Sequence, residues 1–216
     1  PAEALVDFGL IGVPLLAVFL HPSVRVSSGD LTRAAAIALA AALGGNRVLF
    51  VKDADGLRTA DPRLVPESRP IPRAPHHFLT ALSAAGARIV QADAAALAER
   101  ERVTLEFCSL DSVTPLSVVT AGAEVQGLIA VALAPAGDGG AAVTVVAADG
   151  SDLPHAADDW VAALAAGAVA VRDQQLVAHG VRLLLPEGQA TSALRSLHRW
   201  LIEDCHSPSP GARRAS

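Results

Sequence analysis

The sequence predicts an α/β protein in two parts, a layered and largely parallel sheet followed by a smaller α+β unit. Three observations carry this. The continuous apolar run Val-Leu-Phe-Val at 48–51 has the character of a strand covered on both faces. Helical stretches at 31–43, 76–85 and 93–102 alternate with apolar runs, as in a βαβ chain. Beyond residue 120 the pattern changes to pairs of strands separated by single helices.

The elements follow in order. Residues 13–20 read as a strand, with Pro14 near its first position, where a missing N–H is tolerated. Residues 21–28 read as a loop. Asp30 or Ser28 caps the helix at 31–43, and Gly44-Gly45 closes it. The strand at 48–51 is followed by a loop at 61–75 with four prolines, Pro62, Pro66, Pro70 and Pro72. The helix at 76–85 ends at Gly86, and 88–90 is a short strand or turn. After the helix at 93–102, a strand at 103–108 alternates Thr104 and Glu106 outward. Residues 109–120 are linker-like, with room for an edge strand at the end. In the second part, strands are expected at 128–133, 142–146, 168–173 and 177–185. Helices are expected from His155 or Asp158 to 166 and over 191–204, the latter with Leu194, Leu197 and Leu201 at helical spacing. The boundaries are therefore 1–120, 121–205 and a Ser/Pro/Arg-rich tail at 206–216, expected to be disordered.

Composition excludes several function classes. The chain is 216 residues long, 51% apolar and 18% charged, so it can build a core. Aromatic residues are only 3%, so alanine-rich helices must pack closely with little anchoring mass. A net charge of -5 without a basic stripe argues against a nucleic-acid partner. Cys108 and Cys205 form neither a disulfide framework nor a metal-ligand spacing, which suits a reduced cytoplasm. The apolar stretch at 5–20 contains Asp7, Gly9, Gly12 and Pro14 and is shorter than the ~20 residues of a spanning helix. It lacks a basic leader and a cleavage site, so no membrane partner is expected.

Chemistry is concentrated in Val48-Leu-Phe-Val-Lys-Asp-Ala-Asp-Gly-Leu-Arg-Thr-Ala-Asp-Pro-Arg63. A buried strand breaks into three carboxylates, a lysine and two arginines. In open α/β sheets ligands bind at the carboxyl ends of such strands. Carboxylates for magnesium and arginine forks for phosphate suit a phosphorylated ligand. No His/Cys/Asp/Glu group has the spacing of a metal site held by protein alone, and His76-His77 read as surface residues at a helix start. Cys108 reads as a small core residue.

Gly29-Asp30-Leu31-Thr32, the DADG-x-x-TADPR loop and Gly86-Ala87-Arg88-Ile89, in this order, resemble the nucleotide-binding half of the amino acid kinase superfamily, most closely the aspartokinases. The resemblance runs from about Val13 to Leu116. Residues 141–150, 168–188 and the ending Ala-Leu-Arg-Ser-Leu-His-Arg-Trp-Leu at 193–201 resemble an ACT-like regulatory module. One complete unit fits, with an extra strand at 128–133. The implied fold is a partial amino acid kinase three-layer sheet joined to a smaller α+β, ferredoxin-like ACT module.

The resemblance also implies site residues. Asp30 falls beside the acceptor and is the implied catalytic residue. Lys52, Asp53, Arg58, Asp61, Arg63 and Arg88 fall at the nucleotide, which would be ATP with Mg2+. Arg58 replaces a tyrosine by the adenine, and Arg88 replaces a lysine. Asp149, Ser151 and Asp152 form the implied effector site, for lysine or threonine. His198 matches a structural position. The implied activity is ATP-dependent phosphorylation of the L-aspartate β-carboxylate. Nothing before Val13 stands for the family's N-terminal lobe. Three readings follow: part of an aspartokinase gene product, a noncatalytic regulatory or scaffold subunit, or a relative of the uridylate and carbamate kinases. A homo-oligomer or a pairing with a catalytic subunit is expected.

Overall fold

The computed structural model describes residues 23–26, 30–52, 56–109, 114–123, 126–137, 139–149 and 153–204. The strand expected at 13–20 and the tail expected at 206–216 lie outside them. Two compact units form, and they do not divide at one point in sequence. Residues 59–69 and 85–87 fold with the residues from 126 onward.

The first unit contains β1 (Ser23–Val26), α1 (Asp30–Ala42), β2 (Arg47–Lys52), β3 (Leu57–Arg58), β4 (Pro70–Ile71), β5 (Arg73–Ala74), α2 (His76–Ala84), α3 (Ala92–Arg100), β6 (Thr104–Ser109) and β7 (Pro115–Val119). Its five-stranded sheet has the order β1-β2-β6-β7-β5. β1, β2 and β6 are parallel, and β7 runs antiparallel to β6. Val48, Leu49 and Phe50 are all buried, as a strand covered on both faces requires. The rings of Phe50 and Phe107 stack at 5.3 Å between centroids. α1 buries Ala36, Ile37 and Ala40. It ends where the Gly45 N–H donates to the Ala40 carbonyl at 2.7 Å and Gly44 takes a φ of +70°, a left-handed cap.

Several expectations are corrected here. Residues 23–26 are strand rather than loop, and their Val-Arg-Val alternation is the pattern of an edge strand. The proline-rich stretch carries β4 and β5, each only two residues long, the first pairing with β3 and the second with β7. β7 is consequently an interior strand, not an edge. His76 is buried and shares a hydrogen bond of 2.8 Å between its Nε2 and the Val103 carbonyl, so it is no surface residue.

The second unit contains β8 (Ile129–Ala136), β9 (Gly140–Ala147), α4 (Leu153–Ala166), β10 (Asp173–Val177), β11 (Gly180–Pro186) and α5 (Glu187–His198), whose last turn widens to a π-helix over Arg199–Glu203. The four strands are antiparallel in the order β10-β11-β9-β8. This ββαββα arrangement is the ferredoxin-like order with one strand moved to the front. Its core gathers Val143, Val145, Leu183 and Leu185 from the sheet, Trp160 and Leu164 from α4, and Leu194 and Leu197 from α5. The strand expected as an extra at 128–133 is β8, an integral edge of this sheet. The strand expected at 168–173 is instead β10, which begins at Asp173. Ala168 holds a positive φ of 59° in the turn after α4, which rules out a strand starting there. α4 begins at Leu153, with Pro154 in its first turn, where proline needs no hydrogen-bond partner.

Candidate functional site

The parallel strands of the first unit end on one edge of the sheet. Val26 is in register with Phe50, and Lys52 with Ser109. Lys52 is the last residue of β2, and Asp30 opens α1 just beyond the end of β1. This is the edge where open α/β sheets bind ligands. The first turn of α1 also presents backbone N–H groups, which favour anions. Asp53 lies outside the described residues. Ser109, which ends β6 beside Lys52, was not singled out in the sequence, although its place at the end of an expected strand was a usable signal.

The loop leaving β2 is held from below. Gly56 has a φ of +68°, and a Cβ added there would lie 2.5 Å from the Ser117 hydroxyl. That buried hydroxyl accepts from the Leu57 N–H at 2.8 Å and donates to the Ile71 carbonyl at 2.6 Å. The glycine of the DADG loop is therefore required by backbone conformation and by close approach. Arg58 is half-buried at the end of β3. Arg88 is exposed in the connection from α2 to α3. Its neighbour Ile89 accepts from Arg33 Nη1 at 3.0 Å, which sets that connection against the first turn of α1.

Asp61 and Arg63 belong to the second unit. Arg63 donates through Nε at 3.0 Å and Nη2 at 2.6 Å to the two carboxylate oxygens of Asp61, a bidentate fork on the surface. The hydrogen bond and the charge of Asp61 raise the Arg63 pKa above its usual value. The neck of this turn is Thr59. Its hydroxyl accepts from the Arg69 N–H at 2.8 Å and lies 2.9 Å from His198 Nε2. The sequence grouped Asp61 and Arg63 with Lys52 and Asp53 in one loop; in the structure Asp61 and Arg63 belong to the second unit and Lys52 to the first.

In the second unit, Asp149 lies two residues beyond the end of β9 and lines an open cleft of about 400 Å³ together with Ala148, Pro154, Leu176, Val177, His179 and Gly180. Ser151 and Asp152 lie outside the described residues. His179 was missed in the sequence. It occupies the two-residue turn between β10 and β11 with a φ of +56°, uncommon for a side chain of its size. Among the described residues no group of three or more His, Cys, Asp or Glu is arranged to hold a metal ion. Among them too, no helix is long and apolar enough to cross a membrane.

The sequence pattern of the Amino acid kinase family matches residues 31–109, from α1 through β6. That segment, which carries the strand edge, is thus similar to the amino acid kinase family. Within the family the likeness is to aspartokinases. Two sequences, both aspartokinases of Thermus thermophilus, are 34% identical over 84 residues, which is 39% of this chain and 21% of each relative. The match thus spans about a fifth of their length. The crystal structure of Clostridium acetobutylicum aspartate kinase superposes with a TM-score of 0.67 at 13% identity, over 78% of this chain and 57% of that one. The likeness in fold thus extends past the kinase segment into the ferredoxin-like unit.

Proposed function

We propose that this chain forms part of an aspartokinase, acting with further residues of a longer chain or of a partner subunit. The reaction moves the γ-phosphoryl group of ATP onto a β-carboxylate oxygen of L-aspartate, giving 4-phospho-L-aspartate and ADP. The carrying observation is that Lys52, within the segment matched to amino acid kinases, and Asp30, immediately before it, both stand at the carboxyl ends of parallel strands. Phosphoryl transfer is chiefly a matter of positioning and offsetting charge. Lys52, Arg58 and Arg88 would offset phosphate charge, and Asp53 would face the nucleotide. Asp30, at the start of α1, would order the acceptor. Asp61 and Arg63 carry the same assignment by resemblance. Mg2+ would arrive with the phosphates, since it keeps several waters and needs only one or two carboxylates.

The second unit suits an amino-acid effector, with Asp149 receiving an α-amino group and Ser151 and Asp152 sharing the assignment by resemblance; L-lysine or L-threonine is the proposed ligand. A noncatalytic, amino-acid-sensing subunit is the second reading. Arg58 in place of the family's tyrosine and Arg88 in place of its lysine favour it. A homo-oligomer or a pairing with a catalytic subunit fits either reading.

The test is Mg-ATP-dependent acyl-phosphate formation from L-aspartate, trapped as the hydroxamate, alongside direct ATP binding. Turnover by the chain alone establishes the kinase without a partner. Absence of turnover, with ATP binding that Asp53→Ala weakens, supports a kinase completed by other residues. Absence of both moves the sensing subunit to the front.

A further inference from the structure

The Asp61-Pro62-Arg63 turn follows β2 closely in sequence, yet it is built into the second unit. Thr59 makes four hydrogen bonds there. Its N–H donates to the Arg69 carbonyl at 2.9 Å, and its carbonyl accepts from the Val131 N–H of β8 at 2.8 Å. Its hydroxyl accepts from the Arg69 N–H and meets His198 Nε2. Residues 59–69 thus form a loop whose ends are tied together, a compact Ω-like segment. Ala60 and Val65 are buried in the core of the second unit. Farther round the loop, the Leu64 carbonyl accepts from Arg195 Nε at 2.8 Å. Arg195 and His198 are three residues apart on α5, so one helix face holds the loop at both its neck and its tip.

His198 is fully buried and both ring nitrogens are engaged, Nε2 with Thr59 and Nδ1 with Glu203 Oε1 at 3.0 Å. We propose that His198 is a positioning residue for the Asp61-Arg63 turn, so that α5 of the second unit sets how the Arg63 guanidinium is presented to an anionic ligand. The inference rests on the reading that this turn serves the nucleotide. Its geometric half stands without it.

The test compares four variants of the full chain. Thr59→Val removes the hydroxyl at nearly constant shape, and Thr59→Ser keeps it. His198→Gln places an amide near the position of Nε2, whereas His198→Asn reaches only the position of Nδ1. Thr59→Val and His198→Asn should speed amide exchange at positions 64, 65 and 69 by about tenfold, the equivalent of one hydrogen bond. Amides of Val143, Val145 and Leu183 in the central strands should stay within about twofold. Thr59→Ser and His198→Gln should remain close to the parent. Unchanged exchange in the loop, an equal rise in loop and strands, or failure of His198→Gln to restore the parent pattern would each overturn the proposal. Mg-ATP titration of the same proteins separates the two readings. If the parent binds, His198→Asn should weaken binding and His198→Gln restore it, and equal affinity across the set overturns the positioning role. If the parent does not bind, the nucleotide reading fails and the exchange pattern alone decides how the turn is held.

Discussion

The Thr59 hydroxyl lies 2.9 Å from His198 Nε2, a buried contact between residues 139 apart in the chain. Both partners are fully engaged. Glu203 Oε1 lies 3.0 Å from Nδ1, and the Thr59 oxygen that meets Nε2 also accepts from the Arg69 N–H. Thr59→Val leaves both His198 Nε2 and the Arg69 N–H without this partner. A buried polar group so stranded costs about 1–3 kcal/mol. The expected loss in a urea titration is of that size, with Thr59→Ser losing markedly less. A loss as large for serine as for valine would show that the threonine methyl, not the hydroxyl, matters.

Gly56→Ala tests the loop that leaves β2. The left-handed backbone costs a side chain about 1–2 kcal/mol. The added Cβ, 2.5 Å from the Ser117 hydroxyl, also forces that hydroxyl off the Leu57 N–H or the Ile71 carbonyl. The expected destabilisation is therefore greater than the backbone term alone. Ser117→Ala should reproduce the second part only, about 1–3 kcal/mol. Combining the two should give less than their sum, because alanine at 117 removes the atom that the new methyl meets. Strict additivity would remove Ser117 as the reason for the glycine.

What the sequence disclosed depended on whether an element carries its own pattern. β2 was legible because four apolar residues in a row need cover on both faces. α1 was legible because Gly44 and Gly45 mark its end. β10 was not, because Asp173, Gln174, Gln175 and Leu176 are exposed and the strand has no apolar alternation. The expectation moved instead to the apolar Ala168–Val171, where a turn lies. The burial of His76 depends on a carbonyl 27 residues away, which no local pattern records. The strand-edge half of the candidate site was readable from the order of Asp30 and Lys52. The attachment of the TADPR segment to the second unit was not, because it rests on the burial of Ala60 and Val65 and on hydrogen bonds to Val131, Arg195 and His198, all far along the chain.

Trp160 is the largest fully buried side chain, in α4 at the centre of the second unit. Its indole N–H has no hydrogen-bond partner among the described residues. Trp160→Ala should cost about 3–5 kcal/mol through lost burial and the cavity left behind. Trp160→Phe gives up ring volume but also removes the stranded donor, so its cost should fall well below that of alanine. Equal costs for the two would indicate that the N–H is satisfied in solution, by water for example. Thermal unfolding followed by far-ultraviolet circular dichroism separates these cases, since it does not depend on the tryptophan signal.

The cleft beside Asp149 gives the final prediction. A ligand that binds the folded state stabilises it by about 2.7 kcal/mol at a hundred times its dissociation constant. L-Lysine or L-threonine, at millimolar concentration, should therefore raise the midpoint of thermal unfolding. The carboxylate of Asp149 is the group that would receive the ligand's α-amino charge, and His179 also lines the cleft. Asp149→Asn should abolish the shift, measured against the ligand-free midpoint of the same variant. His179→Gly should relieve its left-handed backbone and raise the ligand-free midpoint, while weakening the response to ligand. A response that survives Asp149→Asn would place the effector elsewhere. A shift that is equal for lysine, threonine and unrelated amino acids would mark a solvent effect and remove the cleft as a sensing site.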